Sequence, residues 1–229
     1  MDLTSNHSVS AAEALLDKLA AGGAVAPLRI ATKSHGHAAG GEAAVAQAVI
    51  TWAQAANRAE LRTYAKNADD SQVGDLPRRL VGLTAALVCD EAAAAGGLPI
   101  GPNLRRSALE RLEVLQGWQP RDGSRGPQIE ILCADHLGKS FPVTLYEPKG
   151  EDVRSVRPAK AFKDLAKVLL RTVMTSGMAG TMPLGLPDAI GDALYELFRN
   201  THQHALTDVR GDHLRRSIRG IHARRHSLD

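Results

Sequence analysis

The sequence predicts a mixed α/β protein, and three observations carry that reading. Apolar runs of strand length alternate with runs of helix length through about residue 95. Aromatic residues make up only 3% of the chain, so Ala, Leu and Val must build a core of closely packed helices around modest sheets. Near the C-terminus, apolar residues recur at helical spacing from Pro187 to about Leu206.

Ser10 with Glu13 three residues on reads as a capping box, opening a helix that Gly22-Gly23 ends after about Ala21. Leu28–Thr32 reads as a strand. His35-Gly36-His37 and Gly40-Gly41 read as a flexible strand-to-helix connection, without the spacing of a phosphate-binding P-loop. Val45, Val49 and Trp52 mark a helix over Ala43–Ala56, and Leu61–Tyr64 a second strand. Asp75 caps a further helix, with Pro77 in its first turn and its end at Ala95 before Gly96-Gly97. Strand, helix, strand, helix predicts an α/β unit with a parallel strand pair.

Pro99, Gly101 and Pro102 break the chain before a helix over Leu104–Leu115. Pro120–Pro127 reads as a turn-rich connector. Ile129–Cys133 and Phe141–Tyr146 read as strands around a turn at Gly138, with Pro142 placing the second at an edge or a strand start. A helix over Ala159–Met174 carries Leu165, Val168, Leu169 and Thr172 on one face. Ser176–Leu186 reads as a loop and Ile218–Ile221 as a strand. A boundary near residue 150 separates an N-terminal α/β region (1–150), a sensor or docking unit, from a helix-helix-strand region (151–229).

Cys89 and Cys133 sit in apolar runs and read as buried free thiols, which fits a reducing cytoplasm. The N-terminus lacks the basic and apolar segments of a signal peptide, and no apolar run reaches the roughly 20 residues that span a bilayer. A cytoplasmic protein without a membrane partner is expected. From Arg210 onward six arginines face two aspartates, more than the whole-chain net charge of +3. That tail reads either as a solvated strand edge or as a surface for an anionic partner. Nucleic acid ranks lowest, because no aromatic platform accompanies the arginines.

The C-terminal helix carries the chemistry. At 100° per residue, Ile190, Leu194, Leu197, Phe198, Thr201 and Ala205 share one face, expected to pack inward. Glu196, Asn200 and His204 follow one another at i, i+4 and i+8 in a stripe expected at the margin of that face, with Gln203 beside it. A carboxylate one turn from an amide oxygen suits metal–phosphate chemistry, because Mg²⁺ takes hard oxygen ligands and keeps several waters. His202 and His204 point about 200° apart on a helix, which argues against their sharing a zinc ion.

The segment Glu196-Leu197-Phe198-Arg199-Asn200-Thr201-His202-Gln203-His204-Ala205 resembles the N-box of the GHKL ATPases. That superfamily has the Bergerat α/β sandwich fold and includes gyrase, heat-shock chaperone ATPases, sensor histidine kinases and mismatch-repair ATPases. The resemblance covers about 40 residues, from Leu186 to Arg224, with Leu214–Arg224 at the place of the family's next strand. It implies ATP and Mg²⁺ as cofactors. Glu196 would be the water-activating acid, Asn200 the Mg²⁺ ligand, and His204 and Gln203 nucleotide-side residues. The family's Asp-x-Gly-x-Gly motif and glycine-rich lid do not occur before Asp229, so a partial ATP-binding domain that does not hydrolyse ATP by itself is expected. The expected partners are ATP, a protein docked on the N-terminal region, and a second copy of the chain as a homodimer. The alternative is a regulatory protein-interaction module in which this helix only packs.

Overall fold

A computed structural model describes residues 1–3, 6–22, 25–31, 36–37, 39–120, 128–149, 154–173 and 182–225. Most of the Pro120–Pro127 connector and most of the Ser176–Leu186 loop lie outside the described residues. The fold is mixed α/β, as the sequence predicts. It divides into two compact units, Met1–Leu112 and Glu113–Asp229, so the division falls before residue 150. Among the described residues, no helix is long and apolar enough to cross a membrane.

In the N-terminal unit, β1 (Asp2–Leu3), β3 (Leu28–Ile30), β5 (Glu60–Thr63) and β6 (Glu91–Ala93) form one parallel sheet in that order. A shorter parallel pair joins β2 (Asn6–His7) to β4 (Gly36–His37), inside the segment predicted as a loop. The connections are α1 (Val9–Ala20), α2 (Gly41–Ala55), and α3 (Ser71–Asp75) leading through a 3₁₀ turn into α4 (Leu80–Val88). Right-handed crossovers between sequential parallel strands put such helices on one face of the sheet. The strands alternate accordingly. Leu28, Ile30, Leu61 and Ala92 are buried, whereas Arg29, Arg62 and Glu91 are exposed. Helix α2 is the centre of the helical layer, with Val45, Ala48, Val49, Trp52 and Ala53 fully buried and the Trp52 indole donating to the Ala26 carbonyl at 3.1 Å. Every residue of α4 is buried, the pattern of a helix enclosed on all sides.

Two local signals act at positions other than those predicted. Ser8, not Ser10, caps α1, its hydroxyl accepting from the Ala11 amide at 3.1 Å. Asp70 caps α3, accepting from the Gln72 and Lys66 amides, whereas Asp75 stands at the start of the 3₁₀ turn Leu76–Arg78 without a side-chain cap bond. Those two backbone bonds hold the exposed Asp70 carboxyl below its ordinary range. The predicted helix through Ala95 is also corrected, because α4 ends at Val88 and Glu91–Ala93 forms a strand. Alanines favour helix locally. Pairing with β5 overrides that preference, assisted by Asp90, whose carboxylate accepts from the Ala59 amide at 2.7 Å.

Helix α5 (Gly101–Gly117) contains the division between the units. In the C-terminal unit, β7 (Gln128–Ala134) pairs antiparallel with β10 (Ile218–Arg224) over seven residues, from Gln128↔Arg224 to Ala134↔Ile218. The sequence paired β7 with Phe141–Tyr146 instead. That segment becomes turns leading into β8 (Tyr146–Pro148), which pairs with β9 (Arg154–Val156). Helices α6 (Ala159–Val173) and α7 (Leu186–His204) complete the unit. The core joins Ile129, Ile131, Cys133, Tyr146, Phe162, Leu165, Leu169, Phe198 and Ile221. Helices α6 and α7 approach closely at Gly191, where a Cβ would lie 2.5 Å from the Lys163 Cα. Lys163–Asp192 and Lys167–Asp188 ion pairs, at 3.0 and 3.6 Å, flank that crossing. Both cysteines are buried and free, as expected.

Candidate functional site

Gly185 at φ 87°, Pro187 in the first turn and Asp188 near the N-terminal dipole start α7. Its inward face is Gly191, Leu194, Tyr195, Phe198 and His202, which keeps Leu194 and Phe198 of the projected face, with Ile190, Thr201 and Ala205 half-buried, and leaves out Leu197. Leu197, expected in the core, is 65% exposed. Tyr195 rather than Leu197 completes that face. Its ring lies 5.5 Å from that of Phe162, and Gly191 admits α6 on the same side. Glu196, Asn200, Gln203 and His204 are all exposed. The structure keeps Glu196, Asn200 and His204 in line along the helix but turns them outward. Glu196 lies 3.9 Å from Arg199, an exposed contact one turn away.

The buried polar chemistry of this unit lies at His202, which the sequence reading used only to weigh a zinc site. In the β7–β10 register, Arg219 pairs with Cys133 and Ile221 with Ile131, so Arg219 shares a face with core residues. Its guanidinium side chain is only 3% exposed. Asp135, in the 3₁₀ turn that ends β7, supplies the counter-charge through two hydrogen bonds of 2.8 Å, from Nε and Nη2 of Arg219. Nη1 donates to the Tyr146 hydroxyl at 2.7 Å, and that hydroxyl lies 3.0 Å from Nδ1 of His202. Ser217 adds its hydroxyl to Asp135 at 3.3 Å. The guanidinium carbon also stands 5.6 Å from the centroid of the Phe198 ring.

Burial disfavours the charge on Arg219, but the Asp135 bonds, the Tyr146 bond and the electrostatic effect of Cys133 and Asp135 together offset it, and the guanidinium is held charged above its ordinary range. Burial pushes the Tyr146 hydroxyl up to about 12, against the lowering effect of the Arg219 hydrogen bond. Burial, then the nearby positive charge of Arg219, lowers His202 from 6.5. The Cys133 thiol beside them is pushed up to about 12 by burial.

A cavity of about 340 Å³ opens at this cluster, with Asp135, His136, Ser140, His202, His213, Ser217 and Arg219 on its polar side and Phe141, Leu206 and Leu214 on its apolar side. Asp208 shapes the turn between α7 and β10 by accepting from the Arg210 and Asp212 amides at 2.8 and 3.0 Å. Of the six tail arginines, Arg216 and Arg219 are buried and Arg224 is half-buried, so the tail is not a uniform basic surface. The sequence held one signal for the cluster: Arg219 alternates in phase with Ile221, which marks it as facing inward. Among the described residues, no three His, Cys, Asp or Glu side chains gather as a metal site.

The N-terminal unit has a larger cavity, about 570 Å³, along β6 and the start of α5. The charged groups at its edge are engaged, Glu60 with Arg62, Glu91 with Arg58, and the others with the backbone. Arg105 donates to the Cys89 carbonyl at 3.4 Å, and Asp90 accepts from the Ala59 amide.

No protein-family description, curated protein or solved structure matches this chain.

Proposed function

We propose that the C-terminal unit binds Mg-nucleotide along the α7 stripe Glu196–Asn200–His204, in the manner of the ATPases whose N-box the segment resembles. One observation supports the reading. An acid, an amide and an imidazole stand one turn apart on the exposed side of a helix whose other side Phe198 anchors in the core. Ligand access therefore needs no rearrangement of packing. The donor set suits magnesium, since a carboxylate and an amide oxygen are hard ligands that tolerate retained waters. Asn200 would hold the ion through its amide oxygen, and Glu196 would orient a water. His204 and Gln203 would flank the nucleotide. An open stripe buries little of a ligand, so the binding is weak, and hydrolysis requires a more enclosed site.

The test is Mg-ATP titration of the 229-residue chain by calorimetry, with and without magnesium. Asn200→Ala is expected to abolish Mg-dependent binding with an unchanged circular dichroism spectrum. Glu196→Ala is expected to retain binding. Equal Mg-ATP affinity in Asn200→Ala and the parent overturns the proposal.

A second reading is a protein-interaction module, favoured by Leu197, a 65% exposed leucine between Glu196 and Asn200. It predicts no Mg-ATP binding by the parent.

A further inference from the structure

The contacts of the Tyr146 hydroxyl bear on which nitrogen of His202 carries a hydrogen. Arginine can only donate hydrogen bonds. At 2.7 Å from Arg219 Nη1, the Tyr146 oxygen is an acceptor toward the guanidinium, and among the described residues the partner for its own hydrogen is His202 Nδ1 at 3.0 Å. Nδ1 is then an acceptor, and a neutral ring holds its single hydrogen on Nε2. Asp135 thus orients Arg219, Arg219 orients Tyr146, and Tyr146 orients His202. Nε2–H is the one polar group of the series with no assigned partner among the described residues, and His202 lines the cavity.

The surroundings restrict what that donor meets. Asp135 and Arg219 cancel each other's charge, and both carboxylate oxygens already accept hydrogen bonds from the guanidinium. At this pair an anion would approach Asp135 and a cation would approach Arg219, and beyond His202 and Ser217 the rest of the polar lining is two imidazoles and a hydroxyl, from His136, His213 and Ser140. Phe141 supplies an aromatic wall, 48% exposed and edge-to-face with Tyr146 at 4.9 Å, and Leu206 and Leu214 add aliphatic surface. A volume of about 340 Å³ lies at the small end of the range for sites that hold small organic molecules.

We propose that this cavity is a binding site for a small, uncharged, planar heterocycle bearing a hydrogen-bond acceptor, received by His202 Nε2–H, with Tyr146 as the positioning residue. This site is independent of the Mg-nucleotide reading, since none of its residues belongs to the Glu196–Asn200–His204 stripe.

The probe is nicotinamide, with benzoate and benzylamine as anionic and cationic rings of similar size, followed by NMR of the full chain. In the parent, the ¹⁵N shifts of His202 are expected to report a protonated Nε2 and an unprotonated Nδ1. Nicotinamide is expected to shift the His202 ring and the methyls of Leu206 and Leu214 saturably, and both charged rings to bind more weakly. Tyr146→Phe keeps the ring packing and is expected to mix the His202 tautomers and weaken nicotinamide by about tenfold, the effect of losing one well-placed hydrogen bond. His202→Leu, at a half-buried position, is expected to lose at least as much and serves if Tyr146→Phe fails to fold. A protonated Nδ1 in the parent overturns the proposal. So does nicotinamide that leaves these signals unmoved, or benzoate that binds as tightly as nicotinamide.

Discussion

Asp135 and Arg219 are 84 residues apart in sequence, yet they meet through two hydrogen bonds of 2.8 Å at the end of the β7–β10 pair. Neither side chain has appreciable water around it, since the two are 10% and 3% exposed. A charge in that position is tolerable only with its partner.

Removing one partner should therefore cost far more than removing both. Asp135→Ala leaves a buried guanidinium uncompensated, and a loss of about 3–5 kcal/mol is expected. The double variant Asp135→Ala/Arg219→Met should recover a large part of that loss. Urea denaturation of the two variants and the parent decides it. A double variant no more stable than Asp135→Ala would show that the pair does not act as a unit.

His202 makes stability fall with acid. Its folded state resists protonation below 6.5, whereas the unfolded ring takes up the proton there. The unfolded state then binds more protons, so stability rises with pH across that window and is lost as pH drops through it. Comparing melting temperatures of the parent and His202→Gln at pH 7.5 and 5.5 isolates this contribution. The parent is expected to lose more. Equal losses would rule it out.

Cys133 gives the opposite slope in alkali. Its thiol ordinarily ionises at 9.0 but is held to about 12 in the fold, so the unfolded chain sheds a proton that the folded chain keeps. The stabilisation is complete below pH 9 and is lost as pH rises toward about 12. Cys133→Ala should flatten the decline in urea stability between pH 8.5 and about 10.5, a range chosen to lie below the folded value. An unaltered slope would contradict a buried thiol.

Gly191 separates local from tertiary demands. Alanine favours a helix interior over glycine by about 1 kcal/mol. A Cβ at residue 191 would, however, lie 2.5 Å from the Lys163 Cα on the neighbouring helix. Gly191→Ala is thus expected to destabilise by about 1–3 kcal/mol, as overpacking does. A gain in melting temperature would mean that α6 and α7 can move apart freely.

Leu197 and Phe198 test the inward face of α7. Leu197 is 65% exposed and Phe198 only 4%. Leu197→Ala should change stability by less than about 0.5 kcal/mol, and Phe198→Ala should cost about 3–5 kcal/mol. A cost at Leu197 comparable with a buried leucine would favour the inward face that the sequence projection selects.

The comparison with the sequence turns on the range over which each signal acts. The helices over residues 41–55, 159–173 and 186–204 were legible, because apolar periodicity repeats within a few turns and Gly or Pro punctuates the ends. The strand at Glu91–Ala93 was not, because three residues in an alanine-rich run have no local preference for extension until β5 is beside them. The partner of β7 was misread for a related reason. A turn at Gly138 favours the nearer segment, whereas the seven-residue ladder with β10 buries more and closes a longer loop. For the site, the stripe Glu196–Asn200–His204 was legible as a spacing, but its outward orientation was not.

By itself the sequence determined the α/β class, the length of α7, the alignment of its acid, amide and imidazole, and the burial of both thiols. Backbone geometry and local hydrophobicity suffice for those. Only the tertiary structure decided that Tyr195 rather than Leu197 packs inward and that Arg216 is buried. The same holds for the contact between the Tyr146 hydroxyl and the His202 ring. Those contacts depend on groups that distant segments bring together, here Tyr146 and Phe162, whose contact energy leaves no trace in the order of neighbouring residues.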